Sequence, residues 1–469
     1  MEAPVSDATR TPEGPATFRE VFAQPEFRAL YTANAFSWLG DYLARAAVTV
    51  LVFQETRSVA LSAAAFAVSF LPWLVGGPLL ATLAERHPYR TVMVVCDLTR
   101  MVLIGIIAIP DLPVPVILLL LFGVTLANPP SQAARSALLP MLLTGDRLVV
   151  GLAVSTSTGQ AAQIVGYVLG ASVATLNPSV ALLINTGTFA LSAALIRFRI
   201  HQRPAAMTEA HRSHLLRETA EGFRLVFGTP VLRAIAIVVF ASMLFAIVPE
   251  GLAAGWAAKF AAISDPDHPG RGLTQAMIMI ASPVGFILGG LTIGRGLRPE
   301  LRRTLIRPFA VLAPLALVPA LLNPTPPLVA LMALVSGFAV AGLLPVANGL
   351  FVQALPPGFR ARAFGVMSSG MQVLQGGAVL ITGILAGRFD IPTVVGLWSI
   401  GGVLLMLVVA TQWPSTAEFN SAIAEATRQA RADEGAAPPQ RSTEQRSTDE
   451  PAGDRAPGAP GAPTGVSTL

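Results

Sequence analysis

Two carboxylic acids lie within long apolar stretches of this chain, where an ionised side chain is costly to bury. Asp41 stands in NAFSWLGDYLARAAV (34–48). A charge at the centre of a bilayer costs at least about 2.5–3.5 kcal/mol, so such a group faces a cavity or a partner. Arg45 follows at i+4, on the same helix face. Two interpretations stay open: a fixed ion pair, or a proton site where Arg45 favours the ionised form and burial the neutral form.

The second carboxylate, Glu250, stands in AIVPEGLAAGWAAK (246–259), directly after Pro249. Proline removes a hydrogen bond from the helix ladder, and discontinuous helices often line transporter sites. We therefore predict that Glu250 faces the same cavity as Asp41. The alternative is a carboxylate at the outer surface, where the helix ends early.

A third set of charges begins with Asp97 and Arg100, which lie three residues apart on one predicted helix. Asp97 is expected close to the inner face, whereas Arg100 lies deeper and is expected to reach the cavity. The predicted cavity and proton-coupling residues are Asp41, Arg45, Arg100 and Glu250.

Uncharged polar and aromatic side chains also occur within apolar runs. The amides must find hydrogen-bond partners, either on neighbouring helices or along a substrate path. The aromatic rings contact lipid, the core or a hydrophobic substrate. The candidates are Asn34, Gln160, Gln163, Asn185, Gln275, Asn348, Gln353, Gln372 and Gln375, with Phe36, Trp38, Phe70, Trp73, Phe245 and Phe286.

Metal and catalytic chemistry are not indicated. The five histidines lie in predicted loops, and the one cysteine, Cys96, lies in an apolar run. The sequence has no phosphate-binding glycine loop, no HExxH motif and no nucleophile elbow. We predict no metal, no cofactor and no enzymatic activity.

The element pattern that must position these residues is that of a membrane protein. The chain is 53% hydrophobic and 13% charged, whereas soluble domains carry about 25% charged residues. Apolar runs long enough to cross a bilayer recur about twelve times. The predicted helices are about 28–54, 59–84, 91–109, 113–129, 148–176, 179–198, 231–259, 273–294, 304–322, 327–354, 361–387 and 391–413.

A polar central loop divides the helices into two sets of six, which predicts an all-α membrane protein with two pseudo-symmetric halves. Such halves are a common transporter plan, with the site between them. The predicted divisions are an N-terminal tail (1–27) without signal-peptide features, the first half (28–198), the central loop (199–230), the second half (231–413) and a disordered C-terminal tail (414–469).

The distribution of arginine predicts the orientation. With the N-terminus in the cytoplasm, most arginines fall in inner connections, above all in the central loop and in 295–307. The outer connections 110–115, 175–179 and 323–327 hold none. This asymmetry places both termini in the cytoplasm. It also accounts for the net charge of +5 as topology, so we predict no nucleic-acid binding.

Several segments resemble the major facilitator superfamily, and within it the macrolide and enterobactin exporters. They include ATLAERHPYR (81–90), VVCDLTRMVL (94–103), ARSALLPMLLTGDRLVVGLA (134–153) and RARAFGVMSSGMQVLQGG (360–377). The similarity covers about 25–412. Helix 4, as delimited above, lacks the arginine of the drug-antiporter signature.

The resemblance implies roles for two further sets of residues. Glu85, Arg86, Arg90 and Asp97 match a cytoplasmic gate latch that locks the halves together. Helices 2, 5, 8 and 11 form the seam between the halves in this fold. Small residues four apart permit close helix crossing, and the predicted seam glycines are Gly166, Gly170, Gly285, Gly289, Gly383 and Gly387.

The resemblance further implies a proton-coupled exporter of drugs, secondary metabolites or siderophores, working by alternating access. We expect a small-molecule substrate, the proton and the lipid bilayer as partners, and a monomer in the bacterial inner membrane. The alternatives are an uptake permease of the same fold and a non-transport membrane sensor.

Overall fold

The computed structural model describes residues 17–73, 87–143, 146–203, 215–264, 270–296, 298–355, 360–415, 417–425 and 428. Its elements are α1 (Phe18–Ala23), α2 (Pro25–Thr56), α3 (Val59–Val68), α4 (Tyr89–Ile107), α5 (Val114–Leu126), α6 (Asn128–Leu142), α7 (Asp146–Leu176), α8 (Pro178–Arg199), α9 (Leu215–Gly228), α10 (Pro230–Ala246), α11 (Val248–Ser264), α12 (Gly270–Gly296), α13 (Pro299–Leu315), a 3₁₀ turn (Val318–Leu322), α14 (Pro326–Ala354), α15 (Arg360–Ala386) and α16 (Ile391–Thr411).

Within this described part, nine helices or joined helix pairs are long and apolar enough to cross a membrane. Helices α3 and α4 lie between the first and second of these spans, and α7 lies between the second and third. The described part of α3 has only ten residues, and α4 carries three charges, at Arg90, Asp97 and Arg100. The protein is thus an all-helical, multi-pass membrane protein, while the count of twelve spans stays a prediction.

The fourth predicted helix ends too early in the sequence-based assignment. It was expected to stop at residue 129, but the chain bends at Ala127 and continues as α6 to Leu142. Pro129 and Pro130 lie in the first turn of α6, where the missing N–H groups need no helical partner. Arg135, expected in an inner loop, therefore lies on this helix.

The seventh predicted helix is discontinuous, as its proline suggests. Helix α10 ends at Ala246, Ile247 serves as its C-cap, and α11 begins at Val248. Pro249 therefore falls in the first turn of a new helix. The break places Glu250 in that same first turn.

The central loop and the C-terminal tail both contain helices that the sequence analysis did not predict. Residues Leu215–Gly228 of the central loop form α9. Residues 417–425 are also helical, and Phe419 packs on Trp413 with ring centroids 5.4 Å apart. The boundary at 414 was therefore too early for a disordered tail. The segment from 429 onward lies outside the described residues.

Among the described residues, the two halves share a core toward one end of the bundle. We call the end where α2 begins and α8 ends the arginine-rich end, and the opposite one the arginine-poor end. Toward the arginine-poor end one cluster of buried side chains joins both halves, with Phe66 and Tyr167 on one side and Trp256 and Val379 on the other. Toward the arginine-rich end each half has its own core.

The six predicted seam glycines divide into two groups. Gly383 and Gly387 on α15 face Ala63 and Ala60 of the other half, so close that an added Cβ at Gly383 would lie 2.3 Å from the Ala63 side chain. The others permit close crossings inside one half, which corrects their assignment to the seam: Gly166 and Gly170 contact α2, and Gly285 and Gly289 contact α14.

Candidate functional site

A cavity of about 710 Å³ extends from the arginine-rich end toward the middle of the bundle. Its rim includes Phe27 near the start of α2 and Leu148 near the start of α7, and its deep end includes Asp41 and Arg45. Helix α15 of the other half contributes Gln372. Among the predicted path residues, Asn34, Trp38, Trp73, Gln160 and Gln372 line it. The shared core lies beyond its deep end and closes that side.

Four charges of alternating sign lie at the polar wall of the cavity and directly behind it. Arg100 Nη1 lies 3.7 Å from Asp41 Oδ2 and 3.6 Å from Asp97 Oδ1. Arg135 Nη2 lies 3.7 Å from the same Asp97 oxygen. Ser192 donates a hydrogen bond of 2.6 Å to the other Asp97 oxygen. The two guanidinium groups balance the two carboxylates, as buried charges require.

Two small polar residues of α2 hold the arginines in place. Arg135 donates to Asn34 Oδ1 at 2.6 Å and to Ser37 Oγ at 2.8 Å. Arg100 donates to the same serine oxygen at 3.0 Å, and Ser37 donates to Asp97 at 3.4 Å. Ser37 is fully buried, so the cluster ties together helices α2, α4 and α6.

The ionic partner of Asp41 is Arg100, which corrects the expectation that it would be Arg45. The i, i+4 spacing of Asp41 and Arg45 permits a pair within α2, but in the folded protein the long Arg100 side chain reaches Asp41 from α4. The Asp41 side chain is 16% exposed, while those of Arg100 and Asp97 are 1% and 0% exposed. Asp41 is therefore the carboxylate that the cluster presents to the cavity.

Arg45 points instead toward a group of aromatic rings. Its guanidinium carbon lies 4.9 Å from the ring centre of Phe70, 5.4 Å from that of Phe66 and 5.5 Å from that of Tyr42. Its Nε makes no hydrogen bond. Aromatic faces attract a cation at such distances, so the rings hold this charge at the deep end of the cavity.

Glu250 is buried between the two halves. It is 4% exposed and accepts a hydrogen bond of 3.0 Å from the Tyr167 hydroxyl of α7. Arg45 interacts electrostatically with both groups. The outer-surface alternative for Glu250 is therefore wrong, and the side chain lies behind the deep end of the cavity rather than along its wall.

Sequence reasoning missed two residues of this arrangement. Arg135 was assigned to the inner loop between the predicted helices 113–129 and 148–176, although the apolar run SALLPMLL (136–143) that follows it indicates a continuing helix. Tyr167 carries no sequence signal beyond its place in an apolar run. Only the tertiary structure, in which the Tyr167 side chain reaches α11, reveals its contact with Glu250.

The predicted gate latch is only partly within the described residues. Glu85 and Arg86 lie outside them. Arg90 donates to the Ile200 carbonyl at 3.1 Å, and Asp97 belongs to the buried cluster described above. The structure therefore does not bring Arg90 and Asp97 together, and the latch stays a prediction.

Two helical halves, a cavity between them and buried balanced charges at its wall together define a membrane transporter of small molecules. The model of the Major Facilitator Superfamily matches residues 30–333. The chain belongs to this family.

Three known proteins illustrate the relationship. Macrolide efflux protein A of Streptococcus pyogenes is 22% identical over 377 residues, which cover 78% of this chain and 90% of that protein. The multidrug efflux pump Tap of Mycolicibacterium fortuitum is 27% identical over 369 residues, covering 73% and 83%. A mutant form of the nucleoside transporter NupG has a similar structure, with a TM-score of 0.68, 17% identity and coverage of 83% and 100%.

Proposed function

We propose that this protein is a proton-coupled exporter of small molecules, such as drugs, secondary metabolites or siderophores, that works by alternating access. The observation that carries the proposal is the asymmetry of the bundle. The cavity extends to the arginine-rich end, and the shared core closes the other end. The arginine-rich end is the cytoplasmic one by the positive-inside rule. The cavity therefore receives substrate from the cytoplasm, and the protein lies in the bacterial inner membrane.

Export, rather than uptake, is supported by the relatives. Two of the proteins that this chain resembles are efflux proteins by name. The similarity covers 90% and 83% of their lengths.

The proton carrier in this proposal is Asp41, with Glu250 as the second candidate. A carrier must be ionised in one access state and neutral in the other. Asp41 is reachable from the cavity, and its ionised form is stabilised by Arg100 at 3.7 Å. When the halves close over the cavity, loss of water favours the neutral form. Movement of α4 relative to α2 would also change the Arg100 contact.

Two experiments test this function. Growth inhibition of a pump-deficient host, with and without this chain, across antibiotics and siderophores identifies exported compounds. Proteoliposomes with an imposed proton gradient then test uphill efflux of such a compound. Uphill movement that persists after the gradient is collapsed with an uncoupler contradicts proton coupling, and gradient-driven movement in the opposite direction contradicts export.

A further inference from the structure

In the part of the chain that the structure describes, positive and negative groups are equal in number at the cavity and directly behind its wall. Among the described residues, these groups are Asp41, Asp97, Glu250, Arg45, Arg100 and Arg135. We call them the six-charge set. In their ordinary ionised forms they sum to zero.

Each carboxylate of the six-charge set already has a partner. Asp41 and Asp97 share Arg100, and Glu250 accepts a hydrogen bond from Tyr167. An incoming cation at Asp41 would therefore compete with Arg100 for the carboxylate, and one at Glu250 would replace the Tyr167 hydrogen bond. Because a charge buried without a counter-charge is costly, the balanced set disfavours binding of a cation.

Anions meet a corresponding obstacle. Arg135 is occupied by Asn34, Ser37 and Asp97. Arg45 lies among three rings and also interacts electrostatically with Glu250. An anion on Arg45 would leave the neighbouring carboxylate without compensation.

The rest of the lining suits an uncharged or zwitterionic aromatic molecule. The cavity wall includes Tyr31, Trp38 and Trp73, whose rings offer stacking surfaces. Gln160 from α7 and Gln372 from α15 offer amide hydrogen bonds from opposite halves. Further polar side chains, among them Asn128, Gln132 and Ser155, also line the cavity, so it offers hydrogen bonds as well as stacking surfaces.

We propose that the cavity selects aromatic, amphipathic molecules of zero net charge over cations and anions, and that the balance of the six-charge set determines this selectivity. The proposal rests on the proposed function only in taking this cavity as the substrate site. It predicts that removal of one charge changes the preferred charge of the ligand.

Binding is measured by fluorescence anisotropy on the full chain in lipid nanodiscs, with empty nanodiscs subtracted and no gradient present. The probes are rhodamine B, a net-neutral zwitterion, its ethyl ester, a cation of nearly the same shape, and fluorescein, a dianion. The wild-type protein is expected to bind rhodamine B at least about tenfold more tightly than either ion, a difference of about 1.4 kcal/mol.

Variants then change the balance. Arg45→Gln gives the six-charge set a net charge of minus one. It is expected to shift the ratio of the two affinities, for rhodamine B and for its ethyl ester, by about tenfold toward the ester. Arg45→Lys keeps the charge and should keep the wild-type order. Arg135→Gln makes the same charge change from a different helix, so a folding defect in one variant does not prevent the test. Asp41→Asn gives the set a net charge of plus one and should increase the affinity for fluorescein relative to that for rhodamine B.

The proposal is overturned if the wild-type protein binds the ester as tightly as rhodamine B, if it does not bind rhodamine B, or if both glutamine variants fold and keep the wild-type ratio. Failure of the proposed function gives a different result. In that case the dyes bind with the expected order, but no compound moves uphill in proteoliposomes under a proton gradient.

Discussion

The Tyr167 hydroxyl in the first half donates a hydrogen bond of 3.0 Å to the Glu250 carboxylate in the second half. Both side chains are buried, and Tyr42 packs edge-on against Tyr167 with ring centroids 5.3 Å apart. This bond crosses between the halves where their shared core begins, so it must break when that end opens.

Replacement of Tyr167 by phenylalanine should destabilise the state closed at the arginine-poor end. The buried Glu250 carboxylate loses its donor, and an unsatisfied buried polar group costs about 1–3 kcal/mol. The measurement is maleimide labelling of a cysteine placed at Thr175, in a Cys96→Ala background, which we expect to become faster. Tyr42→Phe is the matched control, since its hydroxyl is not the donor to Glu250. Equal labelling in both variants would argue against a role of the bond in closure.

The contact between Asp41 and Arg100 gives a charge-exchange test of the proton carrier. Asp41→Arg or Arg100→Asp alone leaves like charges together and should lower the folded yield. The double variant restores opposite charges at positions 41 and 100 but leaves a carboxylate at 100 beside Asp97, so it should recover only part of that yield. It should not recover uphill efflux, because the carboxylate that faces the cavity then sits on another helix. Recovered uphill efflux would mean that the pair is structural.

The single variant Asp41→Asn tests the same carboxylate without changing the shape of the side chain. We expect the variant to fold and to catalyse downhill substrate exchange, but to lose uphill efflux, because an amide takes up no proton at physiological pH. The measurement compares the two transport modes in proteoliposomes. If uphill efflux persists, Asp41 is not the carrier, and Glu250→Gln is then tested in the same way.

Gly383 should be sensitive to substitution because α3 approaches it from the other half. An added Cβ would lie 2.3 Å from the Ala63 side chain, and overpacking typically costs about 1–3 kcal/mol. Gly383→Ala should therefore lower the thermal unfolding temperature and increase opening at the arginine-poor end. Gly377→Ala is the control on the same helix, since nothing lies within 4 Å of its added Cβ. Similar effects of both variants would contradict close packing of the seam.

The orientation is testable with reporter fusions. A fusion after Phe198 or at the C-terminus should be active as a cytoplasmic reporter, and one within 263–271 as an external reporter. The reason is the concentration of arginine in the connections at one end. An external central loop would contradict both the twelve-helix arrangement and the assignment of the cavity to the cytoplasmic side.

Asp97→Asn separates the predicted latch from the buried cluster. The change leaves Arg100 and Arg135 with only one carboxylate, Asp41, so we expect lower thermal stability and altered access of probes to the cavity. Among the described residues, Arg90→Gln removes one hydrogen bond, to the Ile200 carbonyl, and should have a smaller effect on stability. If Arg90→Gln alters cavity access as much as Asp97→Asn, the latch interpretation is favoured.

The sequence by itself determined the helical, membrane-spanning architecture, the division into two halves, the family and the acids that matter. Long apolar runs, proline breaks and arginine asymmetry are local or additive signals, because a bilayer imposes the same length and polarity on every span. Asp41 and Glu250 were identifiable because a carboxylate within an apolar run is costly without a partner.

Only the tertiary structure decided which residues are partners. Arg45 is nearest to Asp41 along the helix, yet Arg100 pairs with Asp41, because its long side chain reaches across from α4. Arg45 lies instead against the rings of Tyr42, Phe66 and Phe70. Likewise, Gly166 and Gly383 each have a second glycine four residues later in the sequence. Yet Gly166 contacts a helix of its own half, whereas Gly383 contacts the other half. Helical periodicity specifies a face, and the packing of neighbouring helices determines what that face contacts.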